Sequence, residues 1–386
     1  MQKKLIALAV AGLASSGVFA QTNVTMYGKI DMSYEASSGD FGTKTSGINS
    51  GGHDASRIGF RGEEALGNGM KAIFGLEYQL RSDVNSGIGN VPAGSGGGSL
   101  QSRQTYVGLS GSFGEVKMGR VYSAGDNFGG KYDSLDAANS YSPLQYFALS
   151  TGMTIANGAV SNAIAFKSPA FYDVTVRSYY GFGASNSGSG CTAPACNGDN
   201  VAYVGGAAND QQRNYGVGFD FDKGPLSLAF VYSGQSDINN VSGVNRKDWA
   251  IGATYDFGMA ALYGTYQGDK LQNAIGVTTA KWELYSLGVT VPVTKVDLLR
   301  LMYAQLDNKL PGVAGNDRGA DSWGAVFEHS LSKRTIAYAG YNHMSNDNNT
   351  AAFKTPAGNG SYGESSVTVG LGGTSSGYGF GVIHNF

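Results

Sequence analysis

Few side chains in this sequence are suited to covalent or metal chemistry, and their spacing argues against it. His53, His329, His343 and His384 are too scattered for a metal-protease motif or for a triad with an obvious serine partner. Glu63 and Glu64 are adjacent, so on a strand they point to opposite faces and cannot act as an acid–base pair without a bulge. The glycine-rich GLGGTSSGYGFG lacks the strand–loop–helix context that cradles phosphate. Cys191 and Cys196 are the only cysteines, with no histidine nearby. Two thiolates do not complete a tetrahedral metal shell, and in an oxidising compartment a close pair in a loop is expected to form a disulfide. No cofactor, metal or enzymatic activity is implied. What remains is fixed charge. Arg57 and Arg61 fall on one face of an alternating segment, opposite Ile58 and Phe60, and Glu77 falls on the polar face of MKAIFGLEYQLR. Fixed charges on one face of a strand act through their field, without any catalysis.

The elements that would carry such charges are short alternating segments. NYGVGFDF places Tyr215, Val217, Phe219 and Phe221 on one face and Asn214, Gly216, Gly218 and Asp220 on the other. KDWAIGATYDF sets Trp249, Ile251, Ala253, Tyr255 and Phe257 against Asp248, Ala250, Gly252, Thr254 and Asp256. A period of two marks strands with one apolar and one polar face. A secreted sandwich shares that pattern. Here, however, the polar faces are rich in Gly, Ser, Thr and paired charges, and aromatics stand near the segment ends, as in membrane barrels.

Composition and chain ends agree. Charged residues make up 15% of the chain, against about 25% in an ordinary soluble protein. The balance of 27 basic and 29 acidic residues fits neither a nucleic-acid binder nor a polyacidic tail. Lys3 and Lys4, the apolar run Leu5–Leu13 and the small-residue site at Val18-Phe19-Ala20 read as a secretory signal over residues 1–20, leaving one large domain over 21–386. No later apolar run approaches the ~20 residues of a membrane helix, so a bilayer can be crossed only by a closed barrel. Short turns at 67–69, 112–114, 223–225 and 258–259 interleave with eight longer polar stretches, near 37–54, 83–101, 122–158, 184–212, 236–246, 269–281, 307–320 and 345–374. That rhythm predicts an all-β, transmembrane antiparallel barrel of 16 strands, with both termini on the short-turn side. The closing GYGFGVIHNF would pair with the first strand, and sixteen strands enclose an aqueous channel.

VTMYGKID, SRIGFRGEEALGNGMKAIFGLEYQL, RQTYVGLSGSFGEVKMGR and GFGVIHNF resemble the general diffusion porins of Gram-negative outer membranes, in particular the beta-proteobacterial branch. The resemblance is close over the first hundred or so residues after the signal and rests mainly on strand rhythm beyond them. It implies a homotrimer in the cell outer membrane, surrounded by lipid and lipopolysaccharide, passing small hydrophilic solutes and ions by passive diffusion. It also implies a long third loop folded into the pore. Carried over by position, a basic wall of Lys29, Arg57, Arg103 and Arg120 would face acids at Glu77, Asp126, Asp133 and Asp136, with a modest anion preference. Tyr378, Phe380, Val382 and Phe386 resemble the terminal signal read by the outer-membrane assembly machinery. The alternatives are a substrate-specific channel for a sugar, organic acid or phosphate, and a barrel-anchored adhesin.

Overall fold

The alternation seen in the sequence is realised as seventeen strands in one closed antiparallel sheet. The structure, a computed structural model, describes residues 23–83, 102–153, 158–182, 212–238, 241–310, 318–348, 350, 353, 355 and 367–386. The expected signal at 1–20 and the Cys191–Cys196 pair lie outside the described residues. In chain order the strands are β1 (Asn23–Gly39), β2 (Lys44–Ser50), β3 (Arg57–Gly67), β4 (Met70–Gln79), β5 (Ser102–Gly111) and β6 (Gly114–Tyr122). Then come β7 (Ala159–Lys167), β8 (Val174–Phe182), β9 (Arg213–Lys223), β10 (Leu226–Ser236), β11 (Asn245–Asp256) and β12 (Ala261–Gln272). The last five are β13 (Thr278–Pro292), β14 (Asp297–Asn308), β15 (Ala320–Ser330), β16 (Thr335–Asn346) and β17 (Thr374–Asn385).

Seventeen strands make sixteen staves. β1 is long enough to pair with two strands: Asn23–Lys29 with β3 and Met32–Ser38 with β2. β2 and β3 are therefore one stave, interrupted at residues 51–56. The barrel closes where Lys29–Gly39 of β1 pairs with β17, and Phe386 exchanges two backbone hydrogen bonds with Gly28, at 3.0 and 3.1 Å. Closure removes the free edge that a terminal strand would otherwise present.

Burial is inverted relative to a soluble sandwich. Asp31, Glu77, Asp248, Gln267 and Ser286 are buried inside, whereas Val107, Phe230, Ile251, Leu287 and Phe380 stand exposed on the outer face. An apolar exterior around a polar interior is the distribution a bilayer imposes on a barrel. Outward aromatics form a belt on adjoining staves. Trp249 meets Tyr266 at 4.8 Å, Tyr266 stacks on Tyr285 at 4.7 Å, and Trp323 lies 4.9 Å from Tyr341.

Two stretches depart from the sequence reading. The long loop expected over 37–54 is a turn at 40–43, followed by β2. The polar run TKTSGINS pairs with β1 through its backbone and needs no apolar face. Within the third long stretch, two helices form: α1 (Ala124–Tyr132) and α2 (Pro143–Thr151). Their starts carry ordinary signals. Ser123 Oγ accepts from the Asp126 amide and Ser142 Oγ from the Gln145 amide, each at 3.1 Å, and Pro143 opens α2.

Residues 123–153 pack against the inward face of the wall. Phe128 and Tyr132 cover Gly252, where an added Cβ would lie 2.8 Å from Phe128 and 2.7 Å from Tyr132. Leu135, Leu144, Phe147 and Met153 join Leu284, Met302, Leu306 and Val326 of β13–β15 in one buried cluster. Tyr141 reaches further, with its ring against Gly340 of β16 and its hydroxyl against Gly379 of β17. The segment thus leaves the wall after β6 and is fastened to staves on the other side of the sheet.

Candidate pore constriction

The site is built where the β2–β3 stave breaks. On β1, Lys29, Asp31, Ser33 and Glu35 alternate on the inward face. Asp31 has no solvent exposure. Its Oδ2 accepts from the backbone amides of His53 and Asp54, at 2.8 and 2.7 Å, and its Oδ1 accepts from the Tyr338 hydroxyl at 2.7 Å. One buried carboxylate thereby fixes the 51–56 kink. Gly52 is required there, since a Cβ would meet Glu35 Oε1 at 2.0 Å and Ser33 Oγ at 2.5 Å. The long segment docks on the same kink, through backbone bonds from Ser140 to Gly52 and from Asn139 to His53, at 2.9 and 3.1 Å.

The kink presents Asp54 to two wall cations. Lys29 and Arg57, cross-strand partners in the β1–β3 register, both form ion pairs with its carboxylate. A second centre stands beside it. Glu77 Oε1 receives Arg103 Nε at 2.9 Å and the Tyr122 hydroxyl at 2.7 Å, and Oε2 receives the Tyr27 hydroxyl at 3.0 Å. Arg61 lies over the Tyr27 ring, 5.2 Å from its centre. Lys29, Arg57, Arg103 and Glu77 are thus brought together as one patch. Arg120 binds the wall itself, donating to Ser102 O and Ser161 Oγ at 2.8 and 2.7 Å, next to a register shift between Gly119 and Val121.

The three segment aspartates differ. Asp126 sits in the first turn of α1. Asp133 is buried and accepts from the Ser142 hydroxyl and, at 2.7 Å, from the Leu135 amide, so it holds its own turn rather than facing the wall. Asp136 is exposed, with φ at 57°. The protein around it raises its carboxyl above the usual range; Arg300 opposes this, the Asp54 charge adds to it, and His53 opposes it. Asp136 is thus within electrostatic reach of the wall patch through Asp54 and His53, and Asp126 reaches it through Tyr122.

Residues 7–349 match the Gram-negative porin family. The chain belongs to that family. Outer membrane porin protein 32 of Delftia acidovorans is 32% identical over 349 residues, covering 90% of each chain. An outer membrane porin protein of Bordetella pertussis is 27% identical over 383 residues, 88% of this chain and 93% of that one. Among solved structures, an anion-selective porin from Comamonas acidovorans superposes with a TM-score of 0.74 at 27% identity, over 95% of this chain and all of that one. OmpT of Vibrio cholerae, solved in a trimer form, shares the fold at TM-score 0.61 and 14% identity, over 95% of this chain and 99% of that one. The protein is an outer-membrane porin, a multi-pass barrel of sixteen staves, and its relatives are channels rather than enzymes.

In this porin the ion network extends beyond the residues the sequence suggested. Glu328 Oε1 takes Arg300 Nε at 2.6 Å and His53 Nε2 at 3.0 Å, and Arg300 Nη1 donates to Ser134 O at 3.1 Å. Arg300 thus ties the long segment to β14 and β15. Asp54, Arg300 and Glu328 were not singled out from sequence. Arg300 left a trace, as the lone cation in the inward row Leu298, Arg300, Met302 of β14.

Asp133 gives the docked segment a pH dependence. Burial pushes its carboxyl up to about 6 from an ordinary 3.8. The docked form therefore keeps a proton that an undocked, hydrated carboxyl releases, so docking is favoured as pH falls from above 6 toward 3.8 and weakened as it rises. Current noise and protease nicking of residues 123–153 should be lower near pH 5 than near pH 8. Asp133→Asn should flatten that difference; an unchanged pH profile in the variant would assign the effect elsewhere.

Proposed function

We propose that this porin is a trimeric general diffusion channel for small hydrophilic solutes and ions, with a modest preference for anions. The segment at 123–153 narrows the lumen, and solutes pass between it and the patch of Lys29, Arg57 and Arg103. The observation that carries this reading is the charge count at that patch. On the wall side three cations share two carboxylates, Asp54 and Glu77, which leaves one positive charge in excess there before Arg61 is added, with Asp136 on the segment side. The anion-selective porin from Comamonas acidovorans supports the same sign. Trimerisation is supported by the trimer form of the related fold.

The reversal potential in a salt gradient across a planar bilayer tests the selectivity, with a bias toward anions expected. Asp54→Asn removes one of the two offsetting carboxylates and should strengthen that bias about threefold or more, given roughly 1 kcal/mol per unit charge at close range in water. A weaker anion bias in the variant would take Asp54 out of the opening.

The terminal residues act earlier, during assembly. Residues 1–20 direct export and are removed. Tyr378, Phe380, Val382 and Phe386 project from the outer face and are available to the assembly machinery before β17 closes on β1. Deleting Phe386 should lower the amount of folded porin in the outer membrane and leave the current of each assembled pore unchanged. Normal surface abundance would refute the terminal-signal role.

A further inference from the structure

Of the four histidines, only His53 is buried, and it stands in the 51–56 kink where several elements meet. Its ring Nε2 lies 3.0 Å from Glu328 Oε1 on β15, and the ring meets Tyr338 of β16 edge-on at 5.2 Å. Its amide donates to Asp31 Oδ2 of β1 at 2.8 Å, and its carbonyl accepts from the Asn139 amide of the long segment at 3.1 Å. The next residue, Asp54, binds Lys29 and Arg57 of the wall patch. The imidazole is thus one residue from the carboxylate that sets the charge of that patch.

The ring is placed to change its charge there. A carboxylate only accepts, so Nε2 carries a hydrogen for Glu328 and a titrating proton enters at Nδ1. Nδ1 is buried and makes no hydrogen bond among the described residues. The carboxylates around the ring are Glu328 of β15, Asp31 of β1 and Asp136 of the segment, with Glu35 of β1 against the adjoining Gly52. Asp133 lies beyond Asp136. The cations are Arg300 of β14, paired with Glu328, and Lys29 and Arg57, paired with Asp54. Burial opposes a charged ring, but the hydrogen bond to Glu328 and the charges of Glu328, Asp31 and Asp136 outweigh it and raise the imidazole above its ordinary 6.5. The imidazolium is therefore fully formed below 6.5 and is lost as pH rises through the higher folded value.

Asp136 feels both Asp54 and His53, so the ring and the patch act on the same stretch of lumen. We propose that His53 is a specificity-determining residue of the pore, whose imidazolium strengthens the preference for anions and whose neutral form weakens it. This role rests on the reading of Lys29, Arg57 and Arg103 as one side of the opening.

The test is the zero-current potential in a salt gradient, followed from about pH 5.5 to about pH 9. It is made on Asp133→Asn porin, which lacks the buried segment carboxyl that titrates at about 6. The anion-to-cation permeability ratio should fall roughly threefold as pH rises, with a midpoint above 6.5. His53→Gln, which keeps a donor for Glu328, should hold the ratio at its high-pH value throughout. Glu328→Gln removes the main partner of the ring and should move the midpoint toward acid, a shift that a purely structural His53 would not produce. It also keeps the role falsifiable should His53→Gln fold poorly. A ratio that stays constant above pH 6.5, a step that survives His53→Gln, or a midpoint unmoved by Glu328→Gln would each overturn the role of His53 and leave the pore reading standing. A folded wild-type protein that passes no current at any pH would overturn the pore reading and this role with it.

Discussion

Replacing Arg57 and Arg103 together by glutamate should move the zero-current potential strongly toward cation preference, reversing its sign if the wild-type pore prefers anions as proposed. Both arginines belong to the patch on the stave break, Arg57 on Asp54 and Arg103 on Glu77. The double change moves the local charge by four units. One unit charge about 4 Å from an ion alters its energy by about 1 kcal/mol even in bulk water, and more beside a low-dielectric wall. The permeability ratio should therefore change by well over tenfold. Screening limits the reach of each charge to about 8 Å at physiological salt, so the shift should grow in dilute salt. Folding should survive. Glu77 loses Arg103 but keeps the hydroxyls of Tyr122 and Tyr27, and the closed backbone ladder is untouched. The milder pair Arg57→Gln and Arg103→Gln should fall between wild type and the reversal. A folded double glutamate variant with an unchanged zero-current potential would remove both residues from the selectivity-setting opening.

The wall half of this site was legible in sequence and the other half was not, for a physical reason. Alternation fixes which side chains of a strand point inward, so Glu77 and the Arg57–Arg61 pair could be placed from period alone. Turn residues bounded the staves equally well: Gly67, Asn68 and Gly69 all adopt the positive φ that a tight turn demands. A strand with a single large apolar residue carries no such signature, which is why β2, with only Ile48, reads as loop. The helices were obscured because AGDNFGGKY contains three glycines, each costing about 1 kcal/mol in a helix interior relative to alanine. Burial of Phe128 and Tyr132 against the wall offsets that cost in α1. Asp54, Arg300 and Glu328 escaped for a related reason. Asp54 lies in an irregular kink, and Glu328 meets Arg300 only through the β14–β15 pairing and His53 only through closure of the whole barrel. Local pattern cannot report contacts that closure creates.

Tyr141→Ala should loosen the long segment around residues 138–142 and widen the pore while leaving the barrel folded. Tyr141 is 1% exposed and is the point where the segment reaches furthest across the lumen face. Gly340 and Gly379 leave room for its ring and hydroxyl, Tyr338 meets it edge-on at 6.2 Å, and its hydroxyl donates to Glu35 Oε1 at 3.4 Å. Truncating a buried aromatic costs about 3–5 kcal/mol. Here that cost falls on docking, because Tyr141 belongs to no strand and its loss breaks no ladder bond. The other anchors near it are polar: two backbone bonds to the 51–56 kink, the Asn139 side-chain amide on Gly51 O at 2.7 Å and the Asn342 amide on Ser140 O at 2.6 Å, while the apolar cluster around Leu135 and Phe147 holds the segment on either side. Single-channel current should rise and become noisier, protease should cut within 123–153, and the heat resistance of the barrel should stay the same. Tyr141→Phe, which keeps the ring and loses only the long hydroxyl contact, should behave nearly as wild type. If instead Tyr141→Ala lowered the melting temperature of the barrel at constant conductance, the segment would be a structural brace of the wall, and the narrowing of the pore would have to be sought in Arg57, Arg103 and their neighbours alone.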